Sequence, residues 1–497
     1  MVLPLLLLAL VIPVVARRLY QYAFPLALLG VASSATASIW ALIHVLENGT
    51  MRYHLGGWAP PVGIEYVVDL VSAFVTVIVT TVSTLVVIAT RRWAIRDAGD
   101  RLGSFYGLVM LLLAGLVGIV LTGDLFNLFV FIEISSLAAY ALVFMGGRGG
   151  MIAGFRYLIL GSIGGSLYML GVGFLYFTTG TLNMAETQEI LTQDASARSV
   201  QAGAAFIFVG LGMKMALVPM HLWLPDAYTF APSSVNSLIS PVMTKVSAYA
   251  MMRMFLSVFP DGYLTDVVPV GDALLVLGLI GIIFGSVVAI SQKDIRRMLA
   301  YSSISQLGLI AIGIGLGTPL GMVAALLHVM NHAVMKATLF LAAGSIRYST
   351  GITTVDGVSG LGRTMPFTMI AFTLGAIAMV GIPPMAGFFS KWYAVQAGVE
   401  SGQWSVVAVV LVSSLLSAVY LFRILERAYL HPVQPEPSHG HADDAAFGET
   451  AGQIAIEEPA KESPLDVVLP AVILGLATIA LGIANAWIVT KILEPGV

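Results

Sequence analysis

Fourteen apolar stretches of helix length follow one another along this chain, and they leave few folds open. They cover residues 2–16, 20–46, 64–90, 104–122, 124–145, 152–180, 202–223, 233–258, 268–290, 297–316, 318–346, 365–397, 403–430 and 465–490. A membrane crossing needs about 20 mostly apolar residues. Lipid offers no partner for backbone amides and carbonyls, so a spanning segment must satisfy them within itself. Long apolar runs without strand alternation do this as helices. The expected fold class is therefore an all-α polytopic membrane protein with about 14 transmembrane helices. The composition agrees, with 58% hydrophobic and 10% charged residues; a water-soluble core has no use for so much apolar surface.

Basic residues test this count, because cytoplasmic loops carry an excess of them. With the N-terminus placed outside, fifteen of the 24 Lys and Arg fall on the inner side or at inner helix ends, among them Arg148, Arg296 and Arg347. Arg52, Arg198 and Lys491 alone fall in outer segments. Both termini are then outside, in a multi-pass protein of the cell membrane. Arg17 and Arg18 follow the first apolar run rather than precede it, which suits a first transmembrane helix and not a cleaved signal peptide. A net charge of −3 gives no footprint for nucleic acid. With no cysteine in the chain, thiolate iron–sulfur ligation and redox dithiols are excluded, so any redox step belongs to another subunit. No cofactor and no bound metal is expected.

The stretches divide into three N-terminal helices (1–103), a group of five (104–258), a second group of five (268–431), an acidic cytoplasmic linker (432–464) and a last helix (465–497). Five is odd, so two similar groups in series sit inverted. The fourth helix of each group, the seventh and twelfth of the chain, is interrupted. The first reads GLGMKMALVPMHLWLPDAY, with Pro219 and Pro225; the second reads AMVGIPPMAGFFSKWYAV, with Pro383 and Pro384. Proline removes a donor and clashes with the preceding turn. Breaks at matching places in two inverted halves point to transport sites.

Glu133, Lys214, Lys245, His328, His332, Lys336 and Lys391 are titratable residues inside the apolar stretches. A charge at the bilayer centre costs about 2.5–3.5 kcal/mol on insertion scales, so such residues mark ion or proton pathways. Glu133 and Lys214 read as a pair whose opening makes the lysine a proton donor; the competing reading is a static ion pair that fixes packing. Lys245, just after Pro241, reads as a relay or as a side chain snorkelling to the interface. His328, His332 and Lys336 stand at i, i+4 and i+8, on one helix face, a spacing that suits a water-linked relay. Two histidines at i, i+4 can also hold zinc, but no nearby Asp or Glu completes a ligand set. Lys391 follows the second break. Of the remaining polar residues, Glu65 and Asp69 read as outer-interface groups and Asp124 as a helix cap. Asp226 is expected to satisfy backbone amides freed by the break, with His221 beside it admitting protons from inside. His439 and His441 read as part of a solvated linker rather than as metal ligands.

The segments GDLFNLFVFIEI, GLGMKMALVPMHLWLPDAYTFAPSSVNSLIS, SQKDIRRMLAYSSISQLG and HVMNHAVMKATLFLAAG resemble the antiporter-like membrane subunits of respiratory complex I and of the Mrp multisubunit sodium/proton antiporters. The likeness runs through helices four to thirteen. Chain length, the FNLFVFIE run around Glu133 and the lysine at 391 favour the D-type branch of the Mrp antiporters. The resemblance implies fourteen helices with an inverted repeat. It implies that Glu133 and Lys214 form a coupling pair, that Lys245 and the histidines form a central relay, and that Lys391 is the terminal site. It also implies protons and sodium as the transported ions and other membrane subunits as partners. The expected function is thus a proton-translocating subunit of a cation/proton antiporter, not an enzyme by itself. One rival is a pump subunit of a redox complex; the other is a structural membrane subunit that conducts nothing.

Overall fold

Capping residues and proline breaks set the helix ends in the computed structural model, which describes residues 1–193, 195–432 and 461–497. The helices are α1 (Val2–Ala16), α2 (Ala23–Asn48), α3 (Leu70–Ala89), α4 (Arg91–Ala98), α5 (Leu102–Leu121), α6 (Leu125–Phe144), α7 (Gly147–Thr179), α8 (Met184–Gln193), α9 (Arg198–Lys214) and α10 (Leu224–Phe230). They continue with α11 (Ser233–Ser257), α12 (Val270–Ser291), α13 (Ile295–Gly315), α14 (Pro319–Thr350), α15 (Leu361–Thr364), α16 (Pro366–Val380), α17 (Ala386–Glu400), α18 (Trp404–Leu430) and α19 (Leu465–Ile483). Among the described residues, ten helices are long and apolar enough to cross a membrane, and α1 and α16 are shorter apolar helices. The polar helix α11 and the broken pairs α9/α10 and α16/α17 complete fourteen spans, as the sequence predicts. His439 and His441 of the linker lie outside the described residues.

One expectation needs correction at the third span. Residues 65–68 are not helical: β2 (Glu65–Val68) pairs antiparallel with β1 (Met51–His54). The helix begins only at Leu70, where Asp69 caps it by accepting from Ser72 N. A carboxylate at this position satisfies an amide that has no partner within the helix.

The two five-helix groups carry the same local signature. Asp124 caps α6 and Asp294 caps α13, each accepting from the amide three residues on. Asp124 also forms a backbone bridge to Asn183, and Asp294 one to Thr354. Just before each bridging partner, Gly180 ends α7 and Gly351 ends α14, both in the left-handed conformation that glycine adopts without penalty. The matching signatures fall at corresponding places in the runs α5, α6, α7, α9/α10, α11 and α12, α13, α14, α16/α17, α18.

Helix α14 forms the centre. Every residue from Gly321 to Ile346 is buried, as expected of a helix that is apolar nearly all round. Small residues let neighbouring helices approach closely. A Cβ on Gly308 of α13 would stand 2.6 Å from the Gly278 carbonyl of α12, and the reverse distance is 2.7 Å.

Candidate functional site

The first break frees backbone groups and places a lysine at its edge. Helix α9 stops at Lys214, and Ala216 takes a left-handed φ of 59°. The carbonyl of Met213 is satisfied by Trp223 Nε1 at 2.9 Å, and the Trp223 ring stacks on Tyr157 with centroids 4.0 Å apart. Lys214 Nζ then reaches α6, donating to Glu133 Oε1 at 3.2 Å and to Ser136 Oγ at 2.8 Å. Ser136 lies three residues after Glu133, so both acceptors occupy one helix face. Exposure within the pair is unequal: 5% for the Lys214 side chain and 25% for Glu133. The carboxylate therefore sits at the edge of the subunit and the ammonium inside. Gly165 of α7 makes the space, since a Cβ there would fall 2.1 Å from Glu133 Oε1.

Lys245 is 1% exposed, which overturns snorkelling to an interface. Its Nζ donates to the Ser240 carbonyl at 2.5 Å. Helix α11, which carries Lys245, packs against α14, which carries His328, His332 and Lys336. His328 and His332 are fully buried, with ring centroids 5.6 Å apart and planes 16° from parallel. His328 Nδ1 meets Ser390 Oγ at 2.9 Å, and the Lys391 charge reaches the same imidazole. Lys336 turns away to α13, where it donates to the Leu299 carbonyl and to Ser302 Oγ, each at 2.6 Å.

Lys391 donates to the carbonyls of Met379 and Val380, both at 3.0 Å, and to Ser414 Oγ at 3.1 Å. Those carbonyls are the last of α16 before the second break, which lipid could not satisfy. The side chain thus closes the helix end with three acceptors for the three protons of an ammonium. The two break lysines are not equivalent by repeat. Aligning Pro219 with Pro384 puts Lys391 (seven after Pro384) opposite Asp226 (seven after Pro219), whereas Lys214 lies five before Pro219.

Several buried polar atoms along this row lack a protein partner: both nitrogens of His332, His328 Nε2, Asn331 Oδ1, Thr244 Oγ1 and both polar ends of Gln306. Buried polar groups are rarely left unbonded, and ordered water is their usual partner where the protein supplies none.

Sequence reasoning missed three features. Asp226 does not satisfy backbone amides of the break; it pairs with Arg156 at 2.8 Å and Arg297 at 3.4 Å. With His221 they line a cavity of about 560 Å³. Glu65 is buried, not interfacial, and accepts from Arg52 at 3.1 Å and from Asn183 Nδ2 at 3.2 Å. Arg253, which the sequence left without a role, pairs with Asp69 at 2.6 Å. It was recognisable only as one more intramembrane charge, since its partner is 184 positions away.

Residues 122–417 match the family described as NADH:quinone oxidoreductase/Mrp antiporter, TM. The chain is 43% identical to the N-type subunit of an NADH-quinone oxidoreductase from Desulforudis audaxviator, across 91% of this chain and 89% of the relative. It is 33% identical to the D-type component of an Na(+)/H(+) antiporter from Alkalihalophilus pseudofirmus, across 79% and 78%. A structure of the Mrp complex from Dietzia contains a chain that superposes with a TM-score of 0.87 at 26% identity, over 99% of this chain and 95% of that one. The archaeal membrane-bound sulfane sulfur reductase gives 0.84 at 30% identity, over 100% and 96%. This multi-pass membrane protein belongs to the NADH:quinone oxidoreductase/Mrp antiporter transmembrane family.

Proposed function

We propose that this chain is the proton-translocating subunit of a multisubunit cation/proton antiporter of the cell membrane, with sodium as the counter-ion and other membrane subunits as obligatory partners. The observation that carries the reading is the set of titratable groups inside the fold: quarter-exposed Glu133 bonded to buried Lys214, with Lys245, His332, His328 and Lys391 all buried. The two end lysines belong to the two broken helices, and Lys245, His332 and His328 to α11 and α14. Static packing would be served more cheaply by apolar residues, because each buried charge has a large desolvation penalty.

In this mechanism the Glu133–Lys214 pair is a two-state element. Closed at 3.2 Å, it holds the proton on Lys214. When the carboxylate swings away, the ammonium is left in a low-dielectric site with Ser136 alone. It then passes its proton towards Lys245 by way of water. Lys245 passes it to the imidazoles, which both donate and accept, and His328 hands it to the Ser390–Lys391 end. Lys336, bonded away from the row, acts on it as a charge rather than as a carrier. The one-quarter exposure of Glu133 suits a switch worked by a neighbouring subunit.

A second reading has a specific observation in its favour. The 43% identical relative bears the name of a quinone oxidoreductase subunit, and one well-matched structure is of a respiratory reductase. In that case the same row moves protons, driven by electron transfer elsewhere. The two readings part in inverted membrane vesicles holding the assembled complex and no electron donor. The antiporter reading expects sodium to collapse an imposed ΔpH. No collapse without a donor, with proton uptake on adding one, would move the assignment to the redox-driven complex.

A further inference from the structure

Away from the row, three arginines converge at one membrane-surface end of the molecule. Gly146, Arg148, Gly149, Phe230, Arg296 and Arg347 line a cavity of about 380 Å³. The sequence predicts this end to be the inner one. Arg296 is 8% exposed, yet its Nε and Nη1 have no protein partner. None of the three guanidiniums has a carboxylate within ion-pair distance among the described residues. The two carboxylates whose charge reaches Arg296 and Arg347 are Asp97 and Asp294. Both are engaged elsewhere, Asp97 with Ser234 Oγ at 2.8 Å and Asp294 with the amide of Arg297 at 2.9 Å.

The backbone adds to this charge. Helix α7 begins at Gly147 with no side-chain cap. The first amides of a helix have no acceptor within it, and with the positive end of the dipole they form an anion-binding end. The glycines on either side of Arg148 let the start of α7 pack directly on Phe230. A Cβ on Gly146 would lie 2.0 Å from the Phe230 carbonyl, and one on Gly149 2.7 Å from the Phe230 ring.

We propose that this pocket binds the phosphate group of an anionic phospholipid. Guanidinium forks match phosphate oxygens in pairs, and basic pockets between transmembrane helices on the cytoplasmic side are known homes for such headgroups. The surface below the pocket favours lipid over free phosphate. Ile152, Phe155, Ile159 and Ile163 run along α7 away from Arg148 and are 52%, 59%, 44% and 45% exposed. Their spacing of three and four puts them on one helix face, an apolar track on which an acyl chain can lie while its headgroup sits among the arginines.

The test uses the intact complex, purified in detergent, stripped of lipid and re-supplied with dioleoylphosphatidylglycerol or dioleoylphosphatidylcholine. Retained lipid is counted by native mass spectrometry. Phosphatidylglycerol should be retained in preference to the zwitterionic lipid. Retention should fall about fivefold on Arg148→Gln and again on Arg296→Gln, from the usual worth of one arginine near an anionic headgroup. Arg148 is exposed, so its variant keeps the test open if the buried change disturbs assembly. Displacement of the lipid by equimolar inorganic phosphate would overturn the lipid assignment. Equal retention of both lipids, unchanged by either substitution, would overturn the site itself.

Discussion

A single methyl group should disturb the proposed switch without removing any charge. A Cβ at position 165 would stand 2.1 Å from Glu133 Oε1 and 3.1 Å from its Cδ. Carbon and oxygen settle about 3.3 Å apart, so in Gly165→Ala the carboxylate oxygen must retreat by about 1.2 Å, taking that contact distance as the limit. The same oxygen receives Lys214 Nζ at 3.2 Å. Displaced along the line of the pair, it would lie about 4.4 Å away, and at an effective dielectric of about 20 the attraction drops from about 5.2 to about 3.8 kcal/mol. The difference of about 1.4 kcal/mol corresponds to roughly a tenfold change in rate or occupancy. The helix itself gains from the change, since alanine is favoured over mid-helix glycine by about 1 kcal/mol, so assembly should survive. The assay is cation-driven ΔpH collapse in inverted vesicles, compared in wild-type and Glu133→Ala backgrounds. The methyl should slow transport in the first and have no further effect in the second, where no carboxylate remains to be pushed. An unchanged rate in the wild-type background, or equal slowing in both, would refute the reasoning.

Other consequences follow from the same geometry. Gly381→Ala places a side chain at φ +88° and 3.1 Å from Lys391 Cδ; a strain of about 1–3 kcal/mol should lower the melting temperature of the complex and slow transport together. His332→Phe keeps the ring and removes two nitrogens that have no protein partner, so thermal stability should hold or rise while proton transfer falls by about 100-fold; preserved transport would make His332 a packing residue. Arg253→Gln strands Asp69 and should destabilise the complex by about 3 kcal/mol, read as a lower midpoint of thermal unfolding. Burial pushes the Asp69 carboxyl up, but the Arg253 charge and hydrogen bond, with those of Ser72, outweigh it and leave it below the ordinary value. This stabilisation is present above the unfolded pKa of about 3.9 and is lost as pH falls through the lower folded value, a dependence that Asp69→Asn should abolish.

The spans were legible because hydropathy and proline breaks are local signals. Asp124 as a cap, the halt near Lys214 and the GIPPM break needed no knowledge of distant contacts. What could not be read was pairing across the fold. Asp226 finds Arg156 and Arg297, and Arg253 finds Asp69, through folding rather than spacing. Lys336 shares a helix face with His328 and His332, so periodicity joined it to the row, yet a long side chain can choose among neighbours and this one bonds to α13. The hairpin of β1 and β2 was hidden because Glu65–Val68 is apolar enough to extend an adjacent helical pattern. Each break carries a lysine, but aligning the prolines sets Lys391 against Asp226 and not against Lys214.

The central claim is that Lys214 carries the transported proton. Its most direct test is Lys214→Ala in the assembled complex, with subunit composition verified, followed by cation-driven ΔpH collapse in inverted vesicles. The account predicts collapse no greater than in vesicles lacking the complex. Antiport near the wild-type rate would contradict it and leave the Glu133–Lys214 pair a packing feature.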